Sequence, residues 1–162
     1  MTPGAHGRRR HHRSRDNVGR CARAPAATRR RVAEVSWGDV FFYYAPDNRI
    51  PAAHPFATIV TKDYPDEPRS GLDQPDAFRL NIAAPSGELE RIIGSSAHGG
   101  ARSIDDVQSR DVWFPHPVYG AAGWLSVVNP DAERTEALRL LEAAHRAARE
   151  RYRRRTANRD AG

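Results

Sequence analysis

The 162-residue sequence predicts an α+β fold: a mainly antiparallel sheet of about five strands with a short helix and a long C-terminal helix on one face. Three observations lead there. Short β-branched and aromatic runs alternate with turn chemistry. The order of elements contains no regular strand-helix-strand repeat. A sustained three- and four-residue apolar spacing occurs only near the C-terminus.

The elements follow in order. Val40 to Tyr44 reads as a strand, and Ala45-Pro46-Asp47-Asn48-Arg49 as a turn. Phe56 to Lys62 is a second strand, pairing antiparallel with the first. Pro65 to Ala77 is a loop rich in proline. Phe78 to Ala83 alternates apolar and polar residues, which points Phe78, Leu80 and Ile82 inward and Arg79 and Asn81 to the opposite face. Ser86 is placed to cap a short helix over 87–93, stopped by Gly94. Ser95 to Arg110 reads as polar loop, within which Gly94 to Gly100 is a weak candidate phosphate loop. Val112 to Phe114 and Trp124 to Val128 supply two more strands. Asn129 as cap and Pro130 as first residue open a helix reaching about Arg155, with Leu138, Leu141, His145, Ala148 and Tyr152 as its core stripe.

The formal charge of +6 is a sum of unlike parts. Residues 1–31 carry +9, residues 32–133 carry −8, and residues 134–162 carry +5. The domain therefore reads as 32–156, between an Arg-rich tail (1–31) and a short C-terminus (157–162), both expected to be disordered. The tail has the composition of an upstream or shifted-frame extension of GC-rich coding sequence; a solvated basic tail and a nucleic-acid arm are the alternatives. Nucleic-acid binding is therefore conceivable for the tail and disfavoured for the acidic domain. His11, His12 and Cys21 in the tail make a poor metal set. One cysteine excludes an internal disulfide framework, and no apolar stretch approaches ~18 residues, so no membrane partner is expected.

Four separated motifs carry a resemblance. They are Trp37-Gly38-Asp39 leading into the first strand, Pro55 to Tyr64, Phe78 to Ile82, and His116-Pro117-Val118-Tyr119-Gly120 with Gly123-Trp124 and Val127 to Pro130. Together they resemble an uncharacterised actinobacterial family, the domain of unknown function numbered 6194, over about residues 36–155. The resemblance implies an intracellular, cytoplasmic protein and no particular activity. Members of that family begin with an amphipathic helix, whose place is taken here by the Arg-rich segment. In architecture alone the domain is similar to MmcQ/YjbR-like and CyaY-like folds, which host several functions.

Candidate ligand-binding residues are Asp39, Lys62, Asp63, Arg79, Asn81, His116 and Tyr119. Asp39 and Asp63 stand at strand ends, where a carboxylate either faces a pocket or holds backbone amides. Arg79 and Asn81, with Lys62, could present one sheet face to an anion. His116 is held between two prolines ahead of Tyr119, and an imidazole titrates near neutrality. His54, His116 and Asp63 are a conceivable metal set, but no ligand spacing supports it, so neither metal nor cofactor is expected. The expected function is a ligand-binding or interaction module. The alternatives are a metal-dependent or hydrolytic enzyme using His116 and Asp63, or nucleic-acid binding through the tail. Catalytic residues and specific partners are not assigned by the sequence. Reading the DNA upstream of the Ser36 codon in all three frames checks the extension: an amphipathic helix is expected in another frame, and its absence removes the idea.

Overall fold

The computed structural model describes residues 31–94 and 107–160. Its centre is a six-stranded sheet in the order β1-β2-β3-β4-β6-β5, with every strand pair antiparallel. The strands are β1 (Arg31–Ser36), β2 (Asp39–Tyr44), β3 (Ala57–Val60), β4 (Arg79–Ala83), β5 (Trp113–Pro115) and β6 (Trp124–Val128). A π-helical turn (Glu90–Gly94) and a long helix, α1 (Arg134–Asp160), supply the helical part.

The sheet has one strand more than expected, because β1 precedes the first strand read from the sequence. Its pattern conceals it: Ala33 and Val35 face solvent, while Glu34 and Ser36 are half-buried. On this edge strand, paired only with β2, Ala33 and Val35 are on the outer side. A two-residue turn, Trp37 (φ 56) and Gly38 (φ 90), joins β1 to β2. Positive φ at both central positions matches the twist of the flanking strands.

The main core lies between the first sheet face and α1. Phe42, Ile59, Leu80, Ile82, Leu125 and Val127 project onto that face and meet Ala137, Leu140 and Ala144. The helix stripe is therefore shifted from the expected one: Ala137, Leu140 and Ala144 are deepest, Leu141 and Ala148 flank them, and Leu138 is only half-buried. Small alanines at the centre let the helix approach the sheet closely. The helix also continues past Arg155 to Asp160, so residues 157–160, expected to be disordered, are helical.

Both expected N-caps are corrected. Asn129 takes a left-handed φ of 42 and ties loops together instead. Its Oδ1 accepts from Phe78 N at 2.8 Å and its Nδ2 donates to Asp76 O at 2.9 Å. The amides entering α1 are met by Asp111, whose Oδ1 accepts from Ala132 N (2.8 Å) and Glu133 N (3.3 Å). Ser86 makes no capping bond. The short helical segment is held to α1 by a cluster in which Arg139 and Arg91 each bridge Glu88 and Glu136. The expectations for residues 1–30, for 95–106 including the weak phosphate-loop candidate, and for 161–162 lie outside the described residues.

If Asp111 is the cap, Asp111→Ala lowers unfolding stability by about 1 kcal/mol, while Ser86→Ala changes it by less than about 0.5 kcal/mol, as read by urea denaturation.

Candidate functional site

The residues singled out from the sequence gather largely on and around the second sheet face, away from α1. Strand alternation puts Thr58, Arg79, Asn81, Phe114 and Ser126 there. That face is not solvated. Arg79 and Asn81 are 2% and 1% exposed. A second apolar cluster of Val60, Leu72, Ala77, Val107, Phe114 and Val128 lies under loops that cross this face.

Asn81 sits at the middle of a cross-strand polar row. Its Nδ2 donates to Thr58 Oγ1 at 2.9 Å, and its Oδ1 accepts from Ser126 Oγ at 2.7 Å. Thr58, Asn81 and Ser126 are direct register partners on β3, β4 and β6. Both ends of the carboxamide are thus used inside the protein, and a one-residue slip of any strand would break the row.

Arg79 donates from Nη1 to Ser70 Oγ (3.0 Å) and from Nη2 to Glu67 Oε2 (2.5 Å). Its buried Nε has no hydrogen-bond partner among the described residues. Ser70 and Glu67 belong to the β3–β4 loop, which Asp63 organises: its two oxygens accept from Ser70 N (2.7 Å) and Leu72 N (3.2 Å). Asp63 is thus a loop-forming carboxylate. Asp39, 1% exposed, accepts from Thr61 N at 3.0 Å and from the Tyr64 hydroxyl. The same turn is held by Lys62, whose Nζ donates to Trp37 O at 2.6 Å and lies 5.3 Å from the centre of the Tyr64 ring. Burial, followed by the bond to Asp39, pushes the Tyr64 hydroxyl up to about 12, so it stays a donor at neutral pH.

His116 follows β5 and is 6% exposed. Its Nδ1 accepts from Val118 N (3.1 Å) and Tyr119 N (3.3 Å), which puts the proton of the neutral ring on Nε2. Burial, and then the positive charge of Arg79, lower its pKa to about 4, against a smaller opposing effect of Glu67. At neutral pH it is an uncharged ring that shapes a turn. Its ring stands 5.0 Å from Tyr119 and 6.3 Å from Trp124. That turn needs glycine at position 120, where a Cβ would stand 2.9 Å from Pro115 Cβ. His54 is exposed, on the segment between β2 and β3. Among the described residues, no group of three or more His, Cys, Asp or Glu side chains could hold a metal ion, so His54, His116 and Asp63 do not form one. No helix among them is long and apolar enough to cross a membrane.

Sequence reasoning missed the partners Thr58, Tyr64, Glu67, Ser70 and Ser126, because no local spacing shows which side chains meet across separations of 9 to 45 residues. It also missed a groove of about 740 Å³ that adjoins the His116–Tyr119 turn at Trp124. Tyr44 and Trp124, the 51–55 segment, Ala83 and Ala84 at the end of β4, and Ala148, Arg151 and Arg155 on α1 line it. Tyr44 is fixed there by edge-on contacts with His145 (5.4 Å) and Tyr152 (5.5 Å). The signal available was the placement of Arg151 and Arg155 one turn apart, beside Ala148 and Tyr152 of the expected stripe.

The class of protein is a small antiparallel α+β domain, with helices on one sheet face and loops pinned over the other. The chain belongs to DUF6194, a family of unknown function, whose model matches residues 11–157. That match spans the whole sheet, nearly all of α1 and part of the Arg-rich segment. No curated protein and no solved structure matches the chain.

Two pH windows follow from the charges. The unfolded chain protonates His116 near 6.5, whereas the fold refuses that proton down to about 4. Stability therefore falls as pH drops through this range, by up to about 3 kcal/mol. His116→Asn, which keeps an acceptor for the turn amides, should flatten that part of a stability-versus-pH curve. Glu88, held down to about 2 chiefly by its bond to Arg139, adds stability above 4.5 that is lost below it. Glu88→Gln should shrink this lower limb, to which Glu136 contributes through its bond to Arg139, and leave the upper one in place, as read by thermal denaturation across pH.

Proposed function

We propose that the domain is a ligand-binding module that takes a small molecule in the groove beside Tyr44 and Trp124. One contrast carries this reading. The polar residues best suited to chemistry are occupied: Asp39, Asp63 and Asn81 use their hydrogen-bonding atoms to hold loops and register, and Arg79 is paired with Glu67. The groove is concave, lined by aromatic and small apolar residues together with His54, Arg151 and Arg155, and within the usual 300–1,000 Å³ of small-molecule sites. Of the other candidates, Lys62 donates from its ammonium to Trp37 O of the β1–β2 turn, and Tyr119 packs against Trp124.

The hydrolytic alternative asks His116 to act as a base with Asp63. An imidazole whose Nδ1 is engaged by two backbone amides, and whose pKa lies near 4, is a weak base at neutral pH. The nucleic-acid alternative rests on residues 1–31, and the −8 of residues 32–133 opposes any contribution from the domain. A second reading, self-association through β1, is favoured by Trp37 and Val35, which are 87% and 70% exposed at and beside the hairpin tip.

A fragment screen by amide nuclear magnetic resonance tests the main reading. Bound fragments are expected to move the signals of Ala83, Ala84, Trp124 and Ala148 together; a screen in which no fragment moves them overturns it. For the second reading, Trp37→Ser should shift sedimentation toward monomer, and unchanged sedimentation rejects it.

A further inference from the structure

Arg151 and Arg155 occupy one wall of the groove, a single helical turn apart. Other arginines close to the sheet have acidic partners: Arg79 pairs with Glu67, and Arg91 and Arg139 pair with Glu88 and Glu136. Arg151 and Arg155 have no ion pair among the described residues, and no carboxylate lines the groove. Their environment leaves positive charge uncompensated. Partial burial, followed by repulsion from Arg155 and Arg154, lowers the pKa of the Arg151 guanidinium. Away from α1 the lining is mostly apolar and aromatic: Tyr44, Trp124, Pro51, Pro55 and five alanines. His54, on the 51–55 segment, adds a polar group at the edge.

We infer that the groove recognises a small organic oxyanion, a carboxylate or phosphate monoester on a planar apolar body, with Arg151 and Arg155 holding the anionic group and Tyr44 and Trp124 the body. This rests on the reading of the groove as a ligand site and specifies its ligand class. Two planar guanidinium groups one turn apart can converge on a single oxyanion, and each presents a fork of donors suited to it. Aromatic walls supply contact area for a ring or conjugated chain. A nucleic-acid strand fits less well, because its successive phosphates would have to run over a domain whose residues 32–133 carry −8.

The test is calorimetric titration of the full chain at low salt with phenyl phosphate, benzoate, phenol and inorganic phosphate. Phenyl phosphate or benzoate should bind at least about tenfold more tightly than phenol, and than inorganic phosphate, which lacks the ring. The tighter of the two organic anions identifies the anionic group. Arg151→Ala with Arg155→Ala should weaken that binding by at least about tenfold, whereas Arg153→Ala with Arg159→Ala, an equal change in charge outside the groove, should alter it less than about twofold. Both pairs are exposed helix positions, so the melting temperature serves as the check on folding. Phenol binding as tightly as the anions, or equal losses in the two double variants, overturns the oxyanion assignment while leaving the groove a ligand site. No organic anion binding at all also overturns it, and the fragment screen then decides separately whether the groove binds neutral molecules.

Discussion

A guanidinium group buried in the middle of a sheet imposes the most demanding constraint on this fold. Arg79 projects from β4, between β3 and β6, and is almost wholly removed from water. A buried charge is tolerated only when paired and hydrogen-bonded. The partners come from the β3–β4 loop, so the loop must close over the second face to bring Glu67 and Ser70 to it. Asp63 gives that loop its shape, and Leu72 and Ala77 fill the space beneath it against Val60, Phe114 and Val128. The same charge helps keep His116 neutral. Removing Glu67 alone would leave the guanidinium buried without its counter-ion, the costly way to break such a pair.

The groove arises from a mismatch of lengths. The sheet strands span three to six residues, roughly 10–20 Å, whereas α1 has 27 residues and runs about 40 Å. Burial along the helix is deepest up to Ala144, and the following turns pass beyond the core. Tyr44 and Tyr152 fill part of the resulting angle, and Arg151 and Arg155 face what is left open. Closing one face with loops and covering the other with an over-long helix thus leaves accessible concave surface where the helix outruns the sheet.

Legibility in the sequence varied with how local each signal was. β2, β3, β5 and β6 are legible because β-branched and aromatic runs advertise strands within a few residues, and β4 is legible from its alternation of apolar and polar residues. β1 is not, because Ala33 and Val35 face solvent on an edge strand while Glu34 and Ser36 take the half-buried positions. Asn129 had the right chemistry for a helix cap but also tolerates a left-handed backbone, and it serves there as a tie between loops; the cap comes from Asp111, 21 residues from Ala132. Among the candidate site residues, Arg79 and Asn81 were correctly given a common face, yet that face proved buried.

Period, composition and turn chemistry sufficed to establish an α+β domain with a mainly antiparallel sheet, a long C-terminal helix and an acidic middle beneath a basic total. These are properties of near neighbours along the chain. Which carboxylate meets which amide, whether Arg79 faces water or Glu67, and where Arg151, Arg155, Tyr44 and Trp124 converge were settled by the assembled fold. Such contacts join residues far apart in sequence, and their energies come from burial and pairing that no local pattern encodes.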